Sequence, residues 1–317
     1  MKLNSIAVKV AEAVSVTGSV RRFTLIAADG GRLPGFSSGS HIRIAIETRG
    51  RRLLNAYSLL NSPNAADHYQ IAVRKDAGGR GGSLFLHEQV RTGAILSIGH
   101  PANMFPLVAT ARKHLLIAGG IGITPIVSHL AALAYLGAAF ELHFVVRSLD
   151  EGPFAGELAA RYAGRVRLYR RDTRDAFDVA ALLGNQPLGT HLYVCGPPRL
   201  IDAVTKAARA QGWPDRYVHL ERFTQSAGGR PFTAVLARSG REIAVGATVS
   251  LLEALEDAGL EVPQLCRGGA CGQCETGLLN GEAEHRDCFL GDAIRAAQTR
   301  IMPCVSRAKG DRLVLDL

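Results

Sequence analysis

Four cysteines constrain this chain more than any other feature. Cys266, Cys271 and Cys274 stand as C-x4-C-x2-C, and Cys304 follows well downstream. Four thiolates at this spacing hold the two bridged irons of a plant-type [2Fe-2S] centre. Gly268, Gly269 and Gly272 between them carry no side chains, so the backbone can curl round a cluster and aim N–H groups at its sulfurs. A zinc site usually shows two close cysteine pairs, whereas here the first gap is long and the last cysteine is isolated. Two further cysteines stand apart. Cys288, in His-Arg-Asp-Cys-Phe, reads as a bystander. Cys195 reads equally as a packed small residue or as a group at the edge where a nicotinamide would lie.

Residues 232–317 around this motif suffice for a small domain if a metal centre adds stability. Strands are expected at 232–237 and 242–245, flanking a turn at Ser239-Gly240. A helix follows at 249–258, with Thr248 as N-cap and Gly259 just past its end. The first hundred residues have a different rhythm. Short strands at 6–14, 20–27, 41–46, 53–60, 69–74 and 95–99, separated by Gly and Pro turns, predict a closed antiparallel barrel with one helix near 84–90. From about Lys113, strand and helix patterns alternate, which predicts a parallel sheet with helices on both faces. Ligands on such sheets bind beyond the carboxyl ends of the strands. The chain thus divides into a β-barrel domain at 1–106, an α/β domain at 107–224, a linker at 225–231 and an α+β domain at 232–317.

Two glycine loops suggest phosphate sites. Gly119-Gly120-Ile121-Gly122-Ile123-Thr124-Pro125 follows a strand and opens a helix, where bare N–H groups suit a pyrophosphate. Pro125 stands where the dinucleotide fingerprint needs its third glycine. Cys195-Gly196-Pro197 ends a later strand of the same series, which strengthens the nucleotide reading. The second loop, Gly78-Gly79-Arg80-Gly81-Gly82-Ser83, offers backbone, hydroxyl and guanidinium donors, although a hairpin tip would look similar. Tyr57-Ser58 supplies the aromatic face and hydroxyl that a flavin ring needs.

The formal charge of +9 raises nucleic acid as a partner. The basic residues are scattered, however, and aromatic residues amount to only 6%, so a basic docking face is the better expectation and nucleic acid is not. No apolar run is long enough to span a bilayer, and the first residues lack the pattern of a secretion signal. The expectation is a cytoplasmic, monomeric protein without membrane contact.

Taken with their order, these segments resemble the phthalate dioxygenase reductase family over essentially the whole length. The matching pieces are Tyr57-Ser58-Leu59, Ile71-Ala72-Val73-Arg74, Arg80-Gly81-Gly82-Ser83, residues 118–125, Cys195-Gly196-Pro197 and Cys304-Val305-Ser306-Arg307-Ala308-Lys309. Residues 55–60, 111–114 and 281–287 are most similar to the branch containing the carnitine monooxygenase reductase. The resemblance implies FMN, NADH and a separate Rieske non-haem iron oxygenase as electron acceptor. It places Tyr57 and Ser58 on the flavin ring, Arg80, Gly81, Gly82 and Ser83 on its phosphate, and Phe223 over the isoalloxazine. Asn55, Ala56, Ala72, Val73 and Arg74 join the flavin set. Gly120, Thr124, Pro125, Arg147, Cys195, Gly196 and Pro197 would hold the nicotinamide nucleotide. Asn55 stands where the wider family carries Arg, which removes a charged contact to the flavin phosphate and keeps FAD as the alternative. Asp172 favours NADH, while Arg170, Arg171 and Arg174 keep NADPH open.

The resulting expectation is an oxidoreductase without catalytic acid or base, in which bound cofactors carry the electrons. A self-sufficient NAD(P)H reductase of ferric iron or a quinone, and a redox-sensing interaction protein, are the alternatives.

Overall fold

Period-two alternation builds the N-terminal sheet. In β1 (Ile6–Thr17) it buries Val8 and Val10, in β2 (Val20–Ala27) Phe23 and Leu25, and in β3 (Ser40–Thr48) Ile42, Ile44 and Ile46. Each such side chain contributes about 1.5–3 kcal/mol of hydrophobic stabilisation. With β4 (Arg51–Ser58), β5 (Tyr69–Arg74), β6 (Ile95–Ile98) and β7 (Ala102–Asn103) they form a seven-stranded antiparallel sheet in the order β4-β3-β6-β1-β2-β5, with β7 also on β3. Just past β4, Leu60 N–H donates to Gln70 O in β5 at 2.8 Å, so the two end strands meet and the sheet closes on itself. The helix α1 (Gly82–Glu88) begins two residues earlier than the apolar pattern indicates, because Gly81 at φ 98° supplies the turn into it. The computed structural model describes residues 5–48, 51–65, 67–223 and 228–317, without the side chains of Arg51 and Arg52.

The parallel sheet comprises β8 (Lys113–Gly119), β9 (Phe140–Val146), β10 (Val166–Arg170), β11 (Thr190–Cys195) and β12 (Val218–Glu221), ordered β10-β9-β8-β11-β12. Strand order therefore reverses between β8 and β11, the switch point at which open sheets bind ligands. Both faces are apolar. Leu116, Phe144 and Tyr193 pack on one with α2 (Ile123–Tyr135) and α3 (Ala155–Arg161). Leu115, Ile117 and Val194 pack on the other with α4 (Val179–Gly184) and α5 (Pro198–Ala210). A single 3-10 turn, Gly120–Gly122, precedes α2.

The barrel and parallel sheet belong to one compact unit, residues 2–222, and residues 223–317 form a second. In the second unit, β13 (Phe232–Leu236), β14 (Glu242–Val245), β15 (Thr276–Asn280), β17 (Arg300–Ile301) and β19 (Arg312–Leu315) make a mixed sheet. β16 (Ala283–Glu284) and β18 (Arg307–Ala308) pair separately. The helix α6 (Leu251–Asp257) buries Leu251, Leu252 and Leu255 against this sheet, and α7 (Asp292–Ala297) follows later. The N-cap of α6 is Ser250, not Thr248. Ser250 Oγ accepts from Glu253 N–H at 3.1 Å and Glu253 returns a bond to Ser250 N–H at 3.0 Å, a reciprocal box unavailable to Thr248. Residue 224 and residues 225–227 of the expected linker lie outside the described residues. No helix among the described residues is long and apolar enough to cross a membrane.

Candidate redox site

The cysteine loop follows α6 and is tied to it. Arg267 takes the left-handed conformation at φ 53°, uncommon for a residue with a side chain. Its guanidinium forks onto the Glu256 carboxylate with two bonds of 2.7 Å, which holds the strained turn in place. Gly269 also has positive φ, and a Cβ there would lie 2.6 Å from Val305 Cγ2, so the loop can approach the Cys304 segment only with glycine at this position. Gly268 N–H donates to Cys266 Sγ at 3.3 Å and Cys266 N–H to Cys271 Sγ at 3.5 Å.

The four thiols stand two and two. All four are free thiols: Cys271 hydrogen-bonds to Cys266, Cys304 hydrogen-bonds to Cys274, and Cys266 acts electrostatically on both members of the second pair. The hydrogen bond from the Cys271 thiol holds Cys266 well below the ordinary thiol value against the cost of burial, helped by the N–H groups of Gly268, Ala270 and Cys271. Cys274 is also lowered, first by Cys304. Among the described residues no three His, Cys, Asp or Glu side chains converge on a position for one metal ion. Two thiol pairs with backbone N–H groups turned to the sulfurs instead suit a binuclear, sulfide-bridged centre. Cys288 is exposed. Its thiol reaches Gly269 O at 3.7 Å, and its N–H donates to the same oxygen.

In the first unit the flavin candidates gather at the barrel closure. Tyr57 and Ser58 end β4, Ala72, Val73 and Arg74 end β5, and those are the two terminal strands of the hydrogen-bonded path. Asn55 Nδ2 donates to the Tyr57 hydroxyl at 3.2 Å, and burial pushes that phenol up to about 12. A Cβ on Gly82 would sit 2.2 Å from Asn55 Nδ2, so position 55 faces the Arg80–Ser83 loop directly. Arg80 acts electrostatically on Tyr57 and so belongs to the same constellation. Ser83 is turned elsewhere, its Oγ accepting from Asp76 N–H at 3.0 Å. Arg74 and Ala56 are exposed, Ser58, Ala72 and Val73 buried. The aromatic ring, the glycines and the cationic loop fit a phosphate-bearing flavin.

At the switch point the glycines serve packing first. A Cβ on Gly122 would lie 2.4 Å from Cys195 O, and one on Gly119 2.7 Å from Pro197 Cδ, so the two loops meet backbone to backbone. Gly120, at φ 54°, has open space where a side chain would be. Thr124 is buried and donates to Ile121 O at 3.0 Å, and Pro125 is buried behind it. Arg147, just past β9, is exposed with its guanidinium 3.3 Å from Glu151. Cys195 is fully buried and its thiol is raised by burial and then by Glu221, its register partner on β12.

Glu221 is the residue that sequence patterns miss. It is half-buried, with its Oε2 shielded from solvent and without a hydrogen-bond partner among the described residues, and desolvation lifts its carboxyl to about 8. An acid at the carboxyl end of a strand in the sheet is a signal, but only the neighbouring strand shields its carboxyl. Phe223, two residues on, begins the second unit and is 47% exposed.

A barrel with a flavin-type constellation, a nucleotide-type parallel sheet and a four-thiol unit define an iron–sulfur flavoprotein oxidoreductase. Three family models match in the same order: an oxidoreductase FAD-binding domain at 7–105, a dimethylamine monooxygenase subunit DmmA-like N-terminal domain at 102–218, and a 2Fe-2S iron-sulfur cluster binding domain at 235–309. The carnitine monooxygenase reductase subunit of Acinetobacter baumannii is 44% identical over 304 residues, 95% of each chain. The heme-dependent oxidative N-demethylase beta subunit of Ectopseudomonas mendocina is 46% identical over 310 residues, 98% of each. The solved phthalate dioxygenase reductase, described as a modular structure for electron transfer from pyridine nucleotides to [2Fe-2S], superposes with a TM-score of 0.86 at 36% identity, covering 99% of this chain and 98% of its own. The chain belongs to the phthalate dioxygenase reductase family.

Proposed function

We propose that the chain is the reductase component of an oxygenase system, taking electrons from NADH and delivering them through FMN and a [2Fe-2S] centre to a separate oxygenase. The observation that carries this reading is the pair of thiol pairs at Cys266/Cys271 and Cys274/Cys304, in a different unit from the flavin constellation. Bound flavin accepts the two electrons of a hydride and releases them singly, and a [2Fe-2S] centre carries one at a time. The residues bind and position. Tyr57 and Ser58 present a ring and hydroxyl at the barrel closure, and Arg80 with the N–H groups of Gly81 and Gly82 supports the phosphate. Gly120, Arg147 and the Cys195-Gly196-Pro197 turn receive the nucleotide, with Thr124 and Pro125 shaping the floor of its loop. Glu221, neutral at physiological pH, supplies a polar group beside Cys195 without placing a buried charge there. Phe223 is assigned to the isoalloxazine face.

A Rieske non-haem iron oxygenase is the first assignment for the acceptor, following the resemblance carried by the sequence motifs. A haem-dependent oxidative enzyme is the second, supported by the name of the demethylase relative. Anaerobic analysis tests the core of the proposal, with about two irons and matching acid-labile sulfide per chain and extracted FMN expected. Zinc, or no sulfide, would refute it. NADH-driven turnover with each oxygenase class then separates the two acceptors.

A further inference from the structure

A guanidinium buried without an ion pair sits beside the last cysteine. Arg307 is only 2% exposed and makes no direct ion pair with a described carboxylate, although Glu284, its register partner on β16, acts on it through space. Its charge is met by main-chain carbonyls instead: Nη1 donates to Val249 O at 2.7 Å, and Nη2 to Gly246 O at 2.9 Å and Arg230 O at 3.1 Å. The group also lies over the Phe232 ring, 5.2 Å from its centroid. Keeping an arginine charge out of water is costly, and an apolar side chain would fill such a space more cheaply. What this one adds is a bond to residues 228–230, the strap that leads into the second unit. Arg286 Nη1 reaches the same strap at Gly228 O, 3.2 Å away, while its fork holds Glu284. Gly229 N–H donates to Ala247 O at 2.8 Å, and a Cβ at Gly229 would lie 2.7 Å from Arg307 Nε, so the strap lies flat on the guanidinium.

The anchor and the cluster ligand share one short segment. Arg307 follows Cys304 by three residues, and Ser306 Oγ between them bonds Asp287 and accepts from Arg286 N–H at 3.2 Å. Asp287 and Val305 both press on Gly269 of the cysteine loop.

We propose that Arg307, assisted by Arg286, is a positioning residue for electron transfer between the two units, fixing the strap to the segment that carries Cys304. The inference rests on the reductase reading above. With the strap held, at most residues 223–227 separate the first unit from anchored chain; with it released, residues 223–231 do. A longer unanchored stretch of chain between two sites lowers their effective concentration and relaxes their mutual orientation, so releasing the strap slows transfer between the units. In each transfer one electron leaves reduced flavin and one enters the oxidised cluster, and Arg307 makes and breaks no covalent bond.

Arg307→Met removes the anchor from the cluster side and Gly229→Ala strains it from the strap side. Hydrogen exchange at the Gly229 amide reads the strap. Stopped-flow absorbance reads NADH-driven flavin reduction and the cluster reduction that follows. Both variants are expected to keep the cluster spectrum and the flavin reduction rate, to exchange the strap amide roughly tenfold faster, and to reduce the cluster at least about twofold more slowly. Arg307→Lys, which can still reach a carbonyl, should recover part of both. Should Arg307→Met lose its cluster, Gly229→Ala decides alone. Unchanged strap exchange in Gly229→Ala overturns the proposal, and so does faster exchange with an unaltered rate of cluster reduction. Flavin that NADH fails to reduce in the unmodified protein overturns the reductase reading and this inference with it, a failure the exchange data would not produce.

Discussion

The two units of the chain differ sharply in charge. Residues 1–222 carry 27 Lys and Arg against 16 Asp and Glu, a net +11, while residues 223–317 carry 10 against 12, a net −2. The basic excess that suggested a docking face is therefore confined to the unit proposed to bind a flavin phosphate and a pyridine nucleotide, both anions. The thiol-bearing unit, which would hand electrons onward, has none of it. The contrast extends to buried ionisable groups. The first unit half-buries Glu221 and leaves its shielded Oε2 without a hydrogen-bond partner among the described residues, which raises the carboxyl to about 8. The second buries Arg307, which cannot shed its proton and is solvated by three carbonyls instead. On the proposed reading, charge in the first unit serves anion capture, and charge in the second serves anchoring.

The largest effect expected from this division comes from Cys271→Ser. It should abolish the cluster spectrum and all electron delivery to an oxygenase, yet leave NADH-driven flavin reduction within about twofold of the unmodified rate, since the loop lies in the other unit. Stopped-flow absorbance measures both. Equal loss of flavin reduction would show that the units do not act separately.

Glu221→Gln comes next. Between the ordinary carboxyl value of 4.5 and about 8, the folded protein holds a proton that the unfolded chain has released. Stability therefore falls as pH rises through that window and levels off above it. The glutamine variant lacks this slope, so it should gain on the unmodified protein by up to a few kcal/mol between about pH 5 and 8. Urea unfolding followed through Trp213, the only tryptophan and a residue of this unit, reads the difference. Parallel pH profiles for the two proteins would mean that Glu221 ionises normally.

How much of this was legible in the sequence depends on how local the determinant is. The cysteine spacing was readable because cluster chemistry fixes both ligand type and separation. The barrel strands were readable because one face is buried and period-two alternation survives. The cap of α6 was misplaced by two residues because Thr248 and Ser250 are equally good caps, and only the reach of Glu253 decides between them. The glycines at 119 and 122 suggested phosphate, whereas their nearest neighbours are Pro197 and Cys195, contacts set by strand order. The role of Arg307 has no local signal in the sequence, since the carbonyls it binds lie 58 to 77 residues away.

A roughly tenfold effect is expected at position 55. Asn55 faces Gly82, so an arginine there would point at the same loop as Arg80, and charge-assisted hydrogen bonds to a phosphate are worth about 1.5–3 kcal/mol. Asn55→Arg should tighten FMN about tenfold or more, measured by flavin release on dilution, with the extracted flavin identified by chromatography. Recovery of FAD from the unmodified protein would instead assign the missing arginine to a different cofactor.

The smallest expected effect tests the charge division itself. Screening shortens from about 10 Å at 0.1 M salt to about 3 Å at 1 M, so attraction between a unit of +11 and an anionic nucleotide should fade steadily over that range. The association rate for NADH is expected to drop severalfold. Electron delivery from the cluster unit, at −2, lacks the same long-range attraction to an acidic acceptor, and its rate should change by less than about twofold. Both rates are measurable in one stopped-flow series with saturating and limiting acceptor. An acceptor step falling more steeply with salt than the nucleotide step would mean that the acceptor docks on the basic first unit, and that the cluster is read across a surface the first unit provides. Flat behaviour in both would mean that the excess charge is spread too evenly to steer either partner, leaving local contacts such as Arg80 and Arg147 to supply the recognition.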